Sequence, residues 1–209
     1  MIKVAQGNMH RSWIAEQLMY QIQREIKADL WLISEQYPGG NPNPATWFDD
    51  EFGTAAIWVA NPGRVPVEAS GRGRGFVWVR SKTVTYVSCY LTPTGPVQAY
   101  YTKLHDIEDF ARDAGSNIIV AGDFNAKAVD WGMPYTDSKG EATLEMVSRL
   151  GLVVLNVGDT TTFRRAGYNE TIIDVSFASE GLSTRVNNWH VMEDFTASDH
   201  QYISFEIQH

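Results

Sequence analysis

Several short pieces of this chain end an apolar run on a polar side chain that can do chemistry. Asn8 follows "IKVAQG", Glu35 sits in "LWLISEQY", Tyr90 in "VSCYL", and Asp174 in "TIIDVSF". Asp123 and Asn125 stand two positions apart in "GDFNAK", directly after "NIIVA", and Asp199 and His200 close the triplet "SDH" at 198–200. Carboxylates gathered in one place suit a hard divalent cation, which takes oxygen ligands, and amides, a phenol and an imidazole supply donors beside it. An unpaired carboxylate in an apolar strand costs several kcal/mol, so Glu35 and Asp174 call for a cation or donors nearby. In an extended segment Asp123 and Asn125 project to the same side, because side chains alternate with a period of two. Taken singly, each residue has a plainer reading: Asn and Asp form turns at strand ends, and a lone histidine suits the surface or a satisfied core position.

For these side chains to meet, their strands must share one edge. "IKVAQ" reads as a strand, and Ser12 then caps a helix whose Ile14, Leu18, Ile22 and Ile26 recur every fourth position. "DLWLISEQ" (29–36) is the next buried strand, followed by the proline-rich loop 37–47. "TAAIWVA", "GFVWVRS" and "TVTYVSCYL" are strand candidates punctuated by Gly and Pro, with an antiparallel arrangement. Tyr100, Leu104, Ile107, Ala111 and Ala114 outline a second helix leading into "NIIVAG". A third helix, 140–151, carries Leu144, Val147 and Leu150 and stops at Gly151. "LVVLN", "TIIDVSFAS", "RVNNWHVM" and "QYISFEI" return to strands. Interleaved strands and helices of this kind point to an α/β fold in which two mixed β-sheets pack as a sandwich with helices on the outer faces, a four-layer arrangement.

The 209 residues fit a single domain, 1–209. With 44% hydrophobic and 20% charged residues the composition is that of a soluble globular chain. No apolar run has the length of a membrane span and the N-terminus lacks the features of a signal peptide, so an intracellular protein without a membrane partner is expected. The one cysteine, Cys89, excludes an internal disulfide and a cysteine metal cage, and reads as a small buried hydrophobe. A net charge of −8 weighs against holding nucleic acid by bulk electrostatics. Part of that charge belongs to a cation site if the carboxylates cluster. "GRGRGF" at 71–76 matches neither dinucleotide nor P-loop spacing and reads as a glycine turn between strands, with Arg72 and Arg74 as candidate phosphate contacts.

In chain order, Gly7-Asn8, Ser34-Glu35-Gln36, Ser88 to Tyr90 with Pro93, "GDFNA", Thr162-Phe163, Ile173-Asp174 and "SDH" resemble the endonuclease/exonuclease/phosphatase superfamily over nearly the whole chain. "NAKAVDWG" and "TTFRRAGYNETIID" look most like apurinic-type endonuclease domains of non-LTR retrotransposons, those of telomeric-repeat or site-specific elements in particular. The resemblance implies a DNA endonuclease that uses Mg²⁺, or Mn²⁺, with no small-molecule cofactor. It would nick duplex DNA in the nucleus and leave a 3′-hydroxyl that primes the reverse transcriptase domain of the same polyprotein. Position by position, it makes Glu35 a metal ligand with Asp199 close by and pairs Asp174 with His200. Asp123 and Asn125 then handle the attacking water and a phosphate oxygen, and Asn8 and Tyr90 are further phosphate-side groups. Some relatives carry Asp where this chain has His10. Around the cleft, Arg72, Arg74, Lys127, Arg164 and Arg165 are the expected DNA cations, "FRRAGYN" a hairpin for a groove, and Asp130 and Trp131 candidate readers of sequence. An abasic-site repair nuclease or a phosphatase of the same superfamily, and a catalytically inactive nucleic-acid-binding module, are the rival readings.

Overall fold

The computed structural model describes residues 1–40 and 42–208, so residue 41 of the expected loop lies outside the described residues. The strands are Ile2–Asn8 (β1), Leu30–Ser34 (β2), Trp47–Asp49 (β3), Ala55–Val59 (β4), Ala69–Gly73 (β5), Phe76–Ser81 (β6), Val84–Tyr90 (β7), Ile118–Asp123 (β8), Leu152–Val154 (β9), Asp174–Ser179 (β10), Val186–Val191 (β11) and Ile203–Ile207 (β12). The helices are Trp13–Ile26 (α1), Val97–Asp113 (α2), Ser138–Arg149 (α3) and the single turn Glu180–Ser183 (α4). One sheet runs β11-β12-β1-β2-β4-β3 and the other β5-β6-β7-β8-β10-β9. Three cores separate four layers. Val4, Leu32, Ile57, Val79, Ile119 and Phe205 fill the space between the sheets. Met19 and Ile22 of α1 cover the outside of the first sheet over Trp31, Ile33 and Tyr202, and α2 and α3 cover the second over Val87, Val120 and Phe177. The expected α/β sandwich is thus the observed one.

Each sheet contains the same unit: β1-α1-β2 in the first and β7-α2-β8 in the second both join parallel neighbours through a helix. Parallel strands covered on both faces lose the polar alternation of half-exposed ones, and β2 and β8 are buried throughout. The strands "TAAIWVA" and "GFVWVRS", adjacent in the chain, part company: β4 pairs with β2, β6 with β5 and β7.

Several local expectations need correction. The buried face of α1 is Ala15, Met19 and Ile22, with Ile14 57% exposed. A strict four-residue spacing winds around a helix of 3.6 residues per turn, so Ile14 and Ile26 cannot share a face. The Ser12 cap does form, its hydroxyl accepting from the Ala15 N–H at 3.3 Å. The glycines at 71 and 73 belong to edge strand β5 rather than to a turn. The rings of Trp78 and Phe76 lie over them where a Cβ would stand. Only Arg74 and Gly75 turn the chain. Asp174 opens β10 instead of interrupting a strand, because Thr171 pairs in an isolated bridge with Phe163.

Gly122, one residue before Asp123, faces the Cys89 carbonyl of the parallel neighbour, and a Cβ there would stand 1.9 Å from that oxygen. Neither backbone can give way inside a central strand pair. Gly122→Ala is expected to destabilise the protein by about 3 kcal/mol or more, measured as a lowered urea midpoint; a wild-type midpoint would contradict this packing.

Candidate active site

The topology brings the chemistry to one edge. Asn8 ends β1 opposite Ser34 at the end of β2, and Tyr90 ends β7 opposite Asp123 at the end of β8. Asp174, the first residue of antiparallel β10, is also partnered with Asp123. Polar side chains fix the two sheets against each other just below. Ser34 Oγ donates to the Cys89 carbonyl at 3.0 Å and accepts from the Asp123 N–H, while Ser88 Oγ donates to the Ile33 carbonyl at 2.9 Å. Gln6 of the first sheet donates to the carbonyls of Gly122 and Val175 and accepts from Ser176 Oγ.

On this base sits a connected polar cluster. The buried Asn8 amide nitrogen donates to Glu35 Oε2 and to Asp123 Oδ2, both at 2.9 Å, while Asn8 Oδ1 accepts from the His10 N–H. Asp123 Oδ1 accepts from the Asn125 N–H at 3.0 Å. His200 Nδ1 lies 2.8 Å from Asp174 Oδ2, and its Nε2 lies 3.8 Å from Asp123 Oδ2. The His200 segment is tied back by Ser198 Oγ, which donates to the Asn8 carbonyl at 2.7 Å. Phe163 stacks edge-on against the imidazole, and Thr162 Oγ1 accepts from the N–H groups of Ile173 and Asp174. Left-handed backbone gathers here in residues other than glycine: His10, Arg11, Glu35, Asn125 and Ala197 have φ of 50°, 54°, 48°, 44° and 53°.

Glu35, Tyr90, Asp123, Asn125 and His200 line a cleft of about 760 Å³. Asn125 reaches it for a different reason than expected. The strand stops at Asp123, the left-handed Asn125 turns the chain, and its side-chain amide donates to the Leu91 carbonyl at 2.7 Å. Asp199 sits apart from the acid cluster, 2.8 Å from Arg165 Nε. Arg165 and Lys127 line the cleft, as does Lys139, which sequence reasoning missed. Its only signal was its place two residues after the α3 cap, Asp137. Lys139 Nζ donates to the Pro93 carbonyl and lies over the Tyr100 ring, and Lys127 Nζ to the Tyr135 hydroxyl. Arg72, Arg74 and Arg164 are not among the lining residues and pair instead with Asp49, Asp106 and Glu193. Asp130 is exposed outside the cleft lining. Trp131 must be corrected as a reader of bases: it is 1% exposed and packs its ring against Phe177 in the core, with no face left for a base.

The charges are strongly coupled. Burial pushes the Asp123 carboxyl up and Asp174 adds to the rise, with His200 offsetting part of it, to about 8. Burial by itself lowers the His200 imidazolium, but Asp174, Asp123 and Glu35 lift it to about 9. Burial, then Glu35 and Asp123, raise the Tyr90 phenol, which stays a neutral donor. Asp123, Asp174 and His200 offer ligand atoms within 4.8 Å of one another. With Nδ1 bound to Asp174 and the ring protonated, however, His200 is a donor. Glu35 and Asp123 both present hard carboxylate oxygens to the cleft, joined through the Asn8 amide, and their chemistry fits a divalent cation.

The family model described as endonuclease-reverse transcriptase matches residues 84–204. Among solved structures, the endonuclease domain of TRAS1, a telomere-specific non-LTR retrotransposon, matches with a TM-score of 0.86 at 29% identity, covering 100% of this chain and 99% of that one. An AP endonuclease from Archaeoglobus fulgidus matches at a TM-score of 0.80 and 14% identity, over 99% of both chains. The 3′ phosphatase NExo from Neisseria, bound to a product DNA hairpin, matches at 0.77 and 14% over 100% of both. These last two share the fold. No curated protein gives a significant match.

Both shifted groups hold their protons more tightly in the folded chain than in the unfolded one. The stabilisation from His200 is fully present below 6.5 and is lost as pH rises through about 9. The cost of ionising Asp123 sets in above 3.8 and is complete beyond about 8. With a chelator present, the thermal midpoint is therefore expected to fall as pH is raised from 6.5 to about 9. Calorimetry across that range checks it, and a midpoint that climbed with pH would contradict the assigned charges.

Proposed function

This chain belongs to the endonuclease-reverse transcriptase family, and on that premise we propose that it is a divalent-metal-dependent endonuclease. It nicks duplex DNA and leaves a 3′-hydroxyl that primes reverse transcription of a non-LTR retrotransposon. The observation that carries this reading is the bridge of one Asn8 amide nitrogen to Glu35 and Asp123, beside the Asp174–His200 pair in the same cleft. The TRAS1 endonuclease domain supports it further, at 29% identity over the full chain.

Hydrolysis of a phosphodiester needs a water aimed in line, donors for the charge gathering on the phosphoryl oxygens, and relief for the leaving oxygen. Asp123 is held from two sides, by Asn8 and by the Asn125 N–H, so its carboxylate is preset to orient a water and take its proton. His200, kept protonated by Asp174, donates from Nε2 to a non-bridging oxygen. Tyr90 adds a neutral donor whose phenol does not ionise in the working range, and Asn125 a further polar group at the rim. Glu35, with Asp123 beside it, would hold Mg²⁺ or Mn²⁺, which supplies charge stabilisation for the phosphate and the departing oxygen. A cation there also lowers the raised Asp123 carboxyl toward its ionised, base-competent form.

DNA binding by so acidic a protein is local. Lys127 and Lys139 on one wall, with no carboxylate paired to either among the described residues, and Arg165 on the other meet the phosphates. The segment 163–171, with Arg164 anchored to Glu193, forms the second wall, and exposed Asp130 is the remaining candidate for contact with bases. Arg72 and Arg74 serve, in this reading, only a longer duplex reaching past the cleft. We read the chain as one endonuclease domain of a longer retrotransposon polyprotein, partnered with its reverse transcriptase and acting on nuclear DNA. Among the described residues no helix is long and apolar enough to cross a membrane.

Purified protein with Mg²⁺ is expected to nick intact duplex DNA, and to do so in preference to hydrolysing inositol phosphates or cutting abasic duplex alone. The nick should carry a 3′ end that a polymerase extends without prior treatment. His200→Ala should lower the rate by about 10²–10⁴-fold, scored by relaxation of supercoiled plasmid. Cutting confined to abasic sites, or nicking unaffected by His200→Ala, would overturn the reading.

A further inference from the structure

We propose that Asp199 is a positioning residue for Arg165: it sets the guanidinium on the rim of the cleft as a ready clamp for a DNA phosphate, instead of holding a metal ion. The inference rests on the nuclease reading above and gives Asp199 a different task within it.

The guanidinium is held from three sides. Asp199 Oδ2 lies 2.8 Å from Nε, His10 Nε2 lies 3.4 Å from Nη2, and the Tyr168 ring centroid lies 5.4 Å from Cζ. Arginine presents five N–H donors in a flat fork, so a carboxylate at Nε leaves terminal donors free for a second anion. Tyr168, 64% exposed, gives the fork a flat surface to rest on. The backbone keeps the two partners in register: the Arg164 N–H donates to the Asp199 carbonyl and the Gln201 N–H to the Thr162 carbonyl, both at 2.7 Å. Arg165 and Tyr168 line the cleft, whereas Asp199 does not, and Asp199 is absent from the cluster of Asp123, Asp174 and His200. His10, the position at which some relatives carry Asp, faces the same carboxylate at 4.0 Å. The Asp199 carboxylate is therefore paired with the Arg165 guanidinium of the protein itself.

A free arginine side chain must be immobilised when it grips a phosphate, and prior fixation by Asp199 removes most of that loss. The sign of the effect separates this role from plain electrostatics. Removing a negative charge beside a polyanion by itself tightens binding; removing a positioning group weakens it.

The test is fluorescence anisotropy with a short labelled duplex in chelator, where no metal contributes. Asp199→Asn is expected to weaken binding by about tenfold, much as Arg165→Ala does. The double variant should be no weaker than Arg165→Ala alone, and Asp199→Glu should recover part of the loss. Arg165→Lys keeps the charge but not the fork and should also bind weakly, which keeps the test open if Asp199→Asn folds poorly. In nicking assays the Mg²⁺ concentration for half-maximal rate should be the same for Asp199→Asn and wild type. Wild-type or tighter binding by Asp199→Asn, wild-type binding by Arg165→Lys, or a several-fold higher Mg²⁺ requirement would overturn the proposal and leave the nuclease reading intact. A wild-type protein that neither binds nor nicks the duplex would sink both.

Discussion

The site depends on a seam of hydrogen bonds between two sheets that otherwise touch through hydrocarbon. Apolar contacts are non-directional and tolerate sliding; hydrogen bonds do not, and an unmade one in the interior is costly. Gln6, Ser34, Ser88 and Ser176 are all 2% exposed or less, and each bonds across the gap. Their effect is to set Asn8 and Glu35, carried by one sheet, at a fixed offset from Asp123 and Asp174, carried by the other. Without that offset a single Asn8 nitrogen could not reach both carboxylates, and the cleft would hold two unrelated half-sites.

The electrostatics follow from the same closeness. Asp123 and Asp174 are buried beside one imidazole, with the half-buried Glu35 near it at the cleft, so solvent screens the buried pair weakly. The protein lets His200 take a proton firmly and leaves Asp123 reluctant to lose one. The raised His200 stabilises the fold while it holds its proton, whereas the raised Asp123 costs stability once it ionises, a cost of the kind accepted at functional sites. Among the described residues the ion pairs with acids are made by arginines and histidines and none by a lysine, and Lys127 and Lys139 line the cleft.

How far the sequence could be read depended on the distance between cause and effect. Apolar periodicity located the long strands and helices because burial acts on each element separately, and "GDFN" with "SDH" marked the polar ends because few structural roles call for that combination. The orientation of α1 was misjudged because a helix face is chosen by the sheet beneath it, here Trp31, Ile33 and Tyr202, not by its own spacing. Asn125 was placed in the cleft by a strand argument, whereas a left-handed turn puts it there. Trp131, expected to read bases from its loop beside Asp130, instead turns its ring inward to Phe177, a placement that its loop sequence does not reveal. Lys139, the pairing of Asp199 with Arg165, and the inter-sheet seam are long-range facts that no local pattern encodes.

The pairing of the first and last strands has a practical outcome. Ile2 stands opposite Ile207, while the same β1 runs on to Asn8 at the catalytic edge, a strand length of about 20 Å away. Both backbone ends therefore leave from the pole remote from the cleft. A tag joined beside Ile2 or Ile207 would start a full strand length from the cleft and leave its mouth unobstructed.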